Sequence, residues 1–187
     1  RVVEASTMVP IGEVKAEESK KLLNLEEFLH KRVVGQNEAI KALSNAIRRI
    51  RAGLHGGKRP IGTFLFLGPT GVGKTETAKA LAEAYFGKEN AMIRLDMSEF
   101  SGGDGLEKLI GSFERKTPGV LVTSLRKSPF SILLLDEFEK SSKEVINLFL
   151  QVLDEGMFSD SSGKKVSARD SIVIATSNAG SNLIWDL

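Results

Sequence analysis

The stretch Gly68-Pro69-Thr70-Gly71-Val72-Gly73-Lys74-Thr75 fits the pattern G-x-x-x-x-G-K-[ST] at every fixed position. An apolar run over residues 63–67 precedes it, and residues 73–86 have the composition of a helix. A strand, a glycine-rich loop and a helix in this order form the context in which the pattern has a physical meaning. The alternative is a glycine turn that fits the pattern by accident. Such a turn would require neither a strand before it nor a helix after it. The sequence therefore predicts a phosphate-binding loop.

The residue types in this loop suit a polyphosphate bound with a metal ion. Glycines allow the chain to bend so that backbone N–H groups point inward, and the following helix adds the positive end of its dipole. Lys74 would place a positive charge on the β and γ phosphates, and the Thr75 hydroxyl would ligate Mg²⁺. We therefore expect ATP or ADP and Mg²⁺ as cofactors. The expected contacts of the nucleotide in this region are Pro69, Thr70, Gly71, Val72, Gly73, Lys74, Thr75 and Glu76.

Composition excludes several classes of function. The 187 residues suffice for one domain with a sizeable core, and a formal net charge of +2 favours neither nucleic acid nor membrane as a partner. The absence of cysteine excludes a disulfide scaffold, thiol catalysis and cysteine-bound zinc. No apolar run approaches the roughly 20 residues of a membrane-spanning helix, and no secretory signal is visible. Because the chain begins with Arg1, we expect it to be part of a longer protein.

Apolar patterning predicts strands and helices that alternate along the chain. The predicted strands cover residues 63–67, 91–95, 131–135 and 171–175. The predicted helices cover residues 19–31, 36–54, 73–86, 119–127 and 142–155, after an extended lead-in over residues 1–18. This alternation indicates an α/β fold with a mainly parallel sheet and helices on both faces. Ligands of such sheets bind beyond the carboxyl ends of the strands, where Gly68, Asp136 and Thr176 are expected.

The helix predicted over residues 36–54 has two different faces. Its apolar face carries Ile40, Leu43, Ile47, Ile50 and Leu54 at spacings of three and four residues. Its other face carries Lys41, Arg48, Arg49 and Arg51. A solvated surface is the favoured interpretation of the basic face, ahead of a binding patch.

Four apolar residues run directly into two acids, Asp136 and Glu137. A buried strand beside the phosphate loop would bring Asp136 close to Mg²⁺, as a direct or a water-mediated ligand. Glu137 would point elsewhere and orient or deprotonate the water that attacks the γ-phosphate. An acid pair that only caps the following helix is the alternative, and a complete phosphate loop upstream argues against it.

Two further polar residues follow strands. Asn178 comes at the end of the fourth strand, where its amide could hydrogen-bond the γ-phosphate or the attacking water. Turn chemistry also explains an Asn at that position. Asp96 ends the second strand, and a helix cap is favoured there over a role in the site.

The order of these motifs resembles that of a AAA+ ATPase. Val33-Val34-Gly35-Gln36 is similar to the segment that lines the adenine pocket in that superfamily. The chain most resembles the second ATPase module of Clp-type chaperones, from about residue 3 to residue 184. The motifs that carry this resemblance are His30-Lys31-Arg32-Val33-Val34-Gly35-Gln36, the run from Phe66 to Glu76, Asp96-Met97-Ser98-Glu99-Phe100, the run from Leu135 to Lys140, and Thr176-Ser177-Asn178.

The resemblance implies a P-loop NTPase with three α/β/α layers and a five-stranded sheet, although no fifth strand is clear in the sequence. Lys74 and Thr75 would be the Walker A pair, Asp136 and Glu137 the Walker B pair and Asn178 the sensor-1 residue. Val33 and Val34 would contact the adenine. A lead-in segment and short helix over residues 1–35 would precede a nucleotide-binding core over residues 36–187.

Relatives of this kind form hexamers that couple ATP hydrolysis to pulling polypeptides through a central pore. The resemblance therefore implies copies of the same chain and polypeptides as partners, with a partner peptidase as an open question. It implies neither a membrane nor a nucleic acid as a partner. A cytoplasmic location, or an organelle matrix of bacterial origin, is expected.

The chain departs from the Clp pattern in the segment 111–119. Clp-type modules carry a Gly-aromatic-Val-Gly loop that grips the substrate, and the matching stretch here is shorter, with Phe113 as its only aromatic residue. Phe113 could grip in its place, or it could be a packed loop residue. The favoured interpretation is that the module does not pull in the usual way.

The resemblance also implies an arginine finger and a helical lid with a sensor-2 arginine, both beyond Leu187. We therefore expect the chain by itself to bind nucleotide weakly and to hydrolyse ATP very slowly. Two other functions stay open. One is an ATP-dependent assembly module that does not translocate substrate, and the other is a AAA+ ATPase that remodels nucleic acids.

Overall fold

A computed structural model describes residues 22–52, 57–69 and 71–178. The helices are α1 (Leu25–His30), α2 (Asn37–Arg51), α3 (Lys74–Phe86), α4 (Gly105–Ile110), α5 (Val120–Lys127) and α6 (Lys143–Glu155). The strands are β1 (Gly62–Leu67), β2 (Met92–Asp96), β3 (Gly111–Ser112), β4 (Thr117–Pro118), β5 (Ile132–Asp136), β6 (Met157–Ser159), β7 (Lys165–Ser167) and β8 (Ile172–Ser177). Short 3₁₀ turns follow β2 at Met97–Phe100 and β5 at Phe138–Lys140.

Four strands form a parallel sheet in the order β1-β8-β5-β2. The four strands predicted from apolar runs are therefore confirmed, and they are the four strands of this sheet. Residues 131–135 are buried, as expected for a strand covered on both faces. Because the strands are parallel, their carboxyl ends meet at one edge, and Asp96 pairs in register with Asp136 there.

Helices cover both faces of the sheet, as the predicted three-layer α/β/α architecture requires. On one face, α4, α5, α6 and the β6–β7 hairpin pack against alternate residues of the strands. On the other face, α1, α2 and α3 pack against the remaining ones, including Ile132, Leu134 and Ile174. Alternation of side chains along each strand divides the core between the two faces. The phosphate loop belongs to the second face, since it leads into α3.

Several elements were not predicted from the sequence. Helix α4 has six residues, and the antiparallel hairpins β3–β4 and β6–β7 have strands of two and three residues. Elements this short contain too few residues to show a periodic pattern. Helix α2 ends at Arg51, short of the predicted boundary at residue 54. The lead-in over residues 1–18 and Leu54 lie outside the described residues.

The structure shows the contacts of Asp96 and of the basic face of α2. Asp96 caps the first 3₁₀ turn by accepting a hydrogen bond from the Ser98 backbone N–H, which confirms the cap interpretation. On the basic face of α2, Arg48 pairs with Glu26 at 2.9 Å and Arg51 lies over the Tyr85 ring. Two of the basic residues therefore have partners within the chain, and a solvated surface remains the favoured interpretation of this face. Within the described ranges, no helix is long and apolar enough to cross a membrane.

Candidate functional site

The phosphate loop lies between the end of β1 and the start of α3. Gly71 and Gly73 have φ angles of +86° and +93°, which a residue with a side chain rarely adopts. The Thr77 backbone N–H and hydroxyl both donate to Gly73 O, at 2.8 and 2.9 Å, and so attach the loop to the first turn of α3. The first turn of any helix presents amide groups that lack partners within the helix. Thr70 lies outside the described residues.

The segment expected to hold the adenine packs directly against this loop. A Cβ atom added at Gly73 would lie 3.3 Å from a Val33 methyl group, so the two segments are in contact. Val33 is buried, whereas the Val34 side chain is 96% exposed beside it. Gly35 and Gln36 follow with positive φ angles, and they turn the chain into α2. The structure therefore brings this segment into contact with the phosphate loop through Val33.

Lys74 reaches from the start of α3 to the end of β8. Its Nζ donates to Gly68 O at 2.5 Å and to Asn178 Oδ1 at 2.7 Å. The Asn178 side-chain amide donates in turn to Glu137 Oε1 at 3.2 Å. Asn178 therefore bridges Lys74 and Glu137, the acid that directly follows β5. Residues that are about 40 and 104 positions apart in the chain meet at this edge of the sheet.

Asp136 holds two hydrogen-bond donors of different kinds. The buried Thr176 hydroxyl donates to its Oδ1 at 2.5 Å, and an Arg94 Nη donates to its Oδ2 at 2.6 Å. The Arg94 side chain is 54% exposed, and that of Asp136 is 17% exposed. The carboxylate therefore has a neutral partner on its inner side and a cationic partner on its outer side.

Glu137 occupies a strained backbone position. Its φ and ψ angles of 56° and 49° lie in the left-handed region, which is uncommon for a residue other than glycine. The Thr176 hydroxyl accepts from the Glu137 N–H at 3.1 Å and supports this conformation. The Lys140 ammonium donates to Glu137 Oε2, and this hydrogen bond raises the pKa of Lys140. A strained residue at a cleft often carries function.

A cleft of about 400 Å³ lies among these groups. It is lined by Gly71, Gly73, Lys74, Thr75, Glu76, Arg94, Asp96, Asp136, Glu137 and Asn178. In the part of the chain that the structure describes, no group of three or more His, Cys, Asp or Glu side chains could hold a metal ion. One carboxylate and one hydroxyl fit Mg²⁺ instead, because this ion takes its other ligands from phosphate and water.

The side chain of Glu76 has other partners. It accepts from Arg32 at 3.0 Å and from Lys79 at 2.7 Å. The Lys79 hydrogen bond, followed by that of Arg32, lowers the pKa of Glu76. Arg32 also contacts Glu83 and Glu89, so it joins the chain just before Val33 to helix α3. A contribution of Glu76 to phosphate binding would therefore come from its backbone N–H.

Sequence reasoning gave no contacts for three side chains of this region, although it expected Thr176 at this edge of the sheet. Arg94, Lys140 and the Thr176 hydroxyl contact the acid pair, but none was assigned a role from the sequence. Strand alternation was the one available signal for Arg94, because Arg94 lies two residues before Asp96 and shares its face of β2.

Phe113 is 74% exposed at the β3–β4 turn, so its interpretation as a packed residue is wrong.

A parallel sheet with a glycine-rich loop after β1 and an acid pair at the end of β5 defines a P-loop nucleotide-binding domain. The family model of the AAA domain (Cdc48 subfamily) matches residues 59–186. The chain belongs to this family, and it is a AAA+ domain of the Clp type.

Relatives with known names support the same family. The chaperone protein ClpB of Aquifex aeolicus is 52% identical over 190 aligned positions, which cover 100% of this chain and 19% of that protein. The ATP-dependent Clp protease ATP-binding subunit ClpC of Staphylococcus epidermidis is 48% identical over 99% of this chain and 23% of that protein. The ClpC subunit of Staphylococcus aureus is 47% identical over the same shares. The chain therefore spans about a fifth of the length of these relatives.

Proposed function

We propose that this chain binds ATP or ADP with Mg²⁺ and hydrolyses ATP as part of a Clp-like machine that remodels polypeptides. The observation that supports this most directly is the meeting of Lys74, Asp136, Glu137 and Asn178 around one cleft beside the phosphate loop. A lysine, two acids and an amide, all within reach of one anion, match the needs of phosphoryl transfer to water.

The loop and its lysine would bind the phosphates. Backbone amides of the loop and of the first turn of α3 would donate to phosphate oxygens. Lys74 Nζ, which now donates to Asn178, would turn to the β and γ phosphates. Thr75 and Asp136 would hold Mg²⁺, which supplies charge neutralisation on the phosphates when it is bound.

Glu137 and Asn178 would act on the attacking water. Glu137 would accept its proton, and Asn178 would hold the water or the γ-phosphate through its amide. The existing hydrogen bond between Asn178 and Glu137 keeps the two side chains close to each other. Val33 and Val34 would contact the adenine, since the segment that holds them touches the loop at Gly73.

Calorimetry of ADP binding with Mg²⁺ tests this proposal in the chain as it stands. We expect Lys74→Ala to weaken binding by about 10- to 100-fold, because a charge-assisted hydrogen bond contributes roughly 1.5–3 kcal/mol. Lys79→Ala is the matched control, since it removes the same charge from the same helix, and its affinity should stay within about twofold of wild type. Equal affinities of wild type and Lys74→Ala would refute the assignment of the loop.

The names of the relatives, a chaperone and a subunit of an ATP-dependent protease, support a polypeptide as substrate. We also propose that the longer protein assembles into a ring of identical chains and works in a compartment that contains ATP. A partner peptidase would be required only if the protein works as a protease subunit.

An assembly module that binds ATP without pulling substrate is a second candidate. The β3–β4 hairpin supports it, because the segment that would grip substrate is confined to a short hairpin with Phe113 as its only aromatic residue. Fluorescence anisotropy of a labelled unfolded polypeptide, with Mg²⁺ and ATP, distinguishes the two. If the hairpin grips substrate, Phe113→Ala should weaken binding about tenfold, while Phe130→Ala, another exposed phenylalanine, should not. If the wild-type chain did not bind the polypeptide, the assembly module would be favoured, and binding that neither variant changes would place the substrate contact outside the hairpin.

A further inference from the structure

The two carboxylate oxygens of Asp136 accept hydrogen bonds from donors that differ in burial. Oδ1 accepts from the Thr176 hydroxyl, and Thr176 is 1% exposed on a central strand of the sheet. Oδ2 accepts from Arg94, whose side chain is 54% exposed. A buried side chain on a packed strand has one conformation available, whereas an exposed arginine can leave with little loss of packing. Oδ2 is therefore the exchangeable side of the carboxylate.

The sheet itself places Arg94 in this position. Strand β2 pairs with β5 in parallel, with Arg94 opposite Leu134 and Asp96 opposite Asp136. Side chains two residues apart on a strand share a face, so Arg94 and Asp136 are diagonal neighbours on the face that carries α3. Arg94 also lines the cleft that contains Lys74 and Thr75. The arginine is thus held at the cleft by the register of the strands.

A guanidinium at this carboxylate competes with a divalent cation for the same oxygen. Arginine stays protonated at any physiological pH, so it cannot yield by losing its proton. A metal ion that approaches Oδ2 must displace Arg94 or bind beside a fixed positive charge. Conversely, when no metal ion is bound, Arg94 compensates the charge of the largely buried Asp136. Asp136 can therefore exchange the guanidinium of Arg94 for a metal ion.

We propose that Arg94 occupies the magnesium side of Asp136 until nucleotide and Mg²⁺ enter together, and so sets the Mg²⁺ concentration at which nucleotide binds tightly. This inference rests on the proposed nucleotide site, in which Asp136 holds the metal. Arg94 acts through Asp136, and it is therefore a positioning residue. A direct hydrogen bond from Arg94 to a phosphate is the competing role, and it predicts a different result.

Calorimetric titration with ADP at a series of Mg²⁺ concentrations, and in EDTA, separates these roles without any measurement of hydrolysis. We expect Arg94→Gln to lower the Mg²⁺ concentration for half-maximal tightening of ADP binding by about fivefold or more, the usual lower range for coupled sites. Affinity for ADP in EDTA should remain within about twofold of wild type. Arg94→Lys, which keeps the charge, should restore most of the wild-type behaviour. Arg115→Gln is the matched control, since it removes an exposed arginine that does not contact Asp136.

Each alternative outcome has a distinct meaning. An unchanged Mg²⁺ requirement in Arg94→Gln, with normal thermal unfolding, would overturn the inference and leave the nucleotide site intact. A tenfold or larger loss of ADP affinity in EDTA would also overturn it, because Arg94 would then be a phosphate ligand. If the wild-type chain showed no Mg²⁺-dependent binding of ADP at all, the proposed function would fail together with this inference. That result differs from the two above, so failure of the proposed function can be told apart from failure of the inference alone.

Discussion

Replacement of Thr176 by valine tests whether one buried hydroxyl holds both acids of the site. Valine has nearly the same shape, so the substitution removes the oxygen without creating a cavity. Two contacts are lost, the donation to Asp136 Oδ1 and the acceptance from the Glu137 N–H. An N–H left without a partner away from water costs about 1–3 kcal/mol, and we expect a total loss of stability near 2–3 kcal/mol. For a chain of this size that lowers Tm by about 4–12 °C.

Function should change more specifically than stability. Glu137 loses the support of its left-handed backbone, and Asp136 loses the donor that orients its carboxylate. We expect the Mg²⁺-dependent gain in ADP affinity to fall about tenfold, with little change in EDTA, as measured by calorimetry at a temperature where the variant is folded. Thr176→Ser keeps the hydroxyl and should behave almost as wild type. Thr123→Val removes an exposed hydroxyl that donates to Gly119 O, and it is the matched control. If Thr176→Val retained both wild-type Tm and Mg²⁺ dependence, this account of the acid pair would be wrong.

Two other substitutions have defined outcomes. Glu137→Gln should keep ADP affinity while it lowers the rate of ATP hydrolysis, measured by phosphate release in the longer protein, by about 10²-fold or more, and unchanged turnover would exclude Glu137 as the base. Arg32→Gln should lower Tm at neutral pH, because it breaks the contacts with Glu76 and Glu89. The pKa values of both carboxyls are lowered by their hydrogen bonds in the folded chain, so the stabilisation is complete above the ordinary value of 4.5 and disappears as the pH falls below it. A difference in Tm between wild type and Arg32→Gln that stayed constant from pH 7 to about pH 3 would contradict this reasoning.

Long elements were easier to predict than short ones, for a physical reason. Residues 131–135 form an unbroken apolar run, and a strand buried on both faces requires such a run. Helix α2 shows its apolar stripe over four turns, and Ile40, Leu43 and Ile47 are buried as that stripe predicts. Helix α4 and the β3–β4 hairpin depend on contacts with their neighbours. Gly119 shows this, because a Cβ atom there would lie 2.1 Å from Leu109 O at the end of α4.

The loop from Gly68 to Thr75, the two acids after a buried strand and the family were readable from the residue order alone. These signals are local, because a bend needs glycine and a buried strand needs apolar residues wherever they occur in a fold. The residues that contact Asp136 and Glu137 could be identified only from the tertiary structure. Arg94 and Thr176 lie 42 and 40 positions from Asp136, and they meet it only because the strands are ordered β1-β8-β5-β2 in parallel register. Strand order and register arise from the packing of the whole core, and no stretch of sequence near Asp136 contains that information.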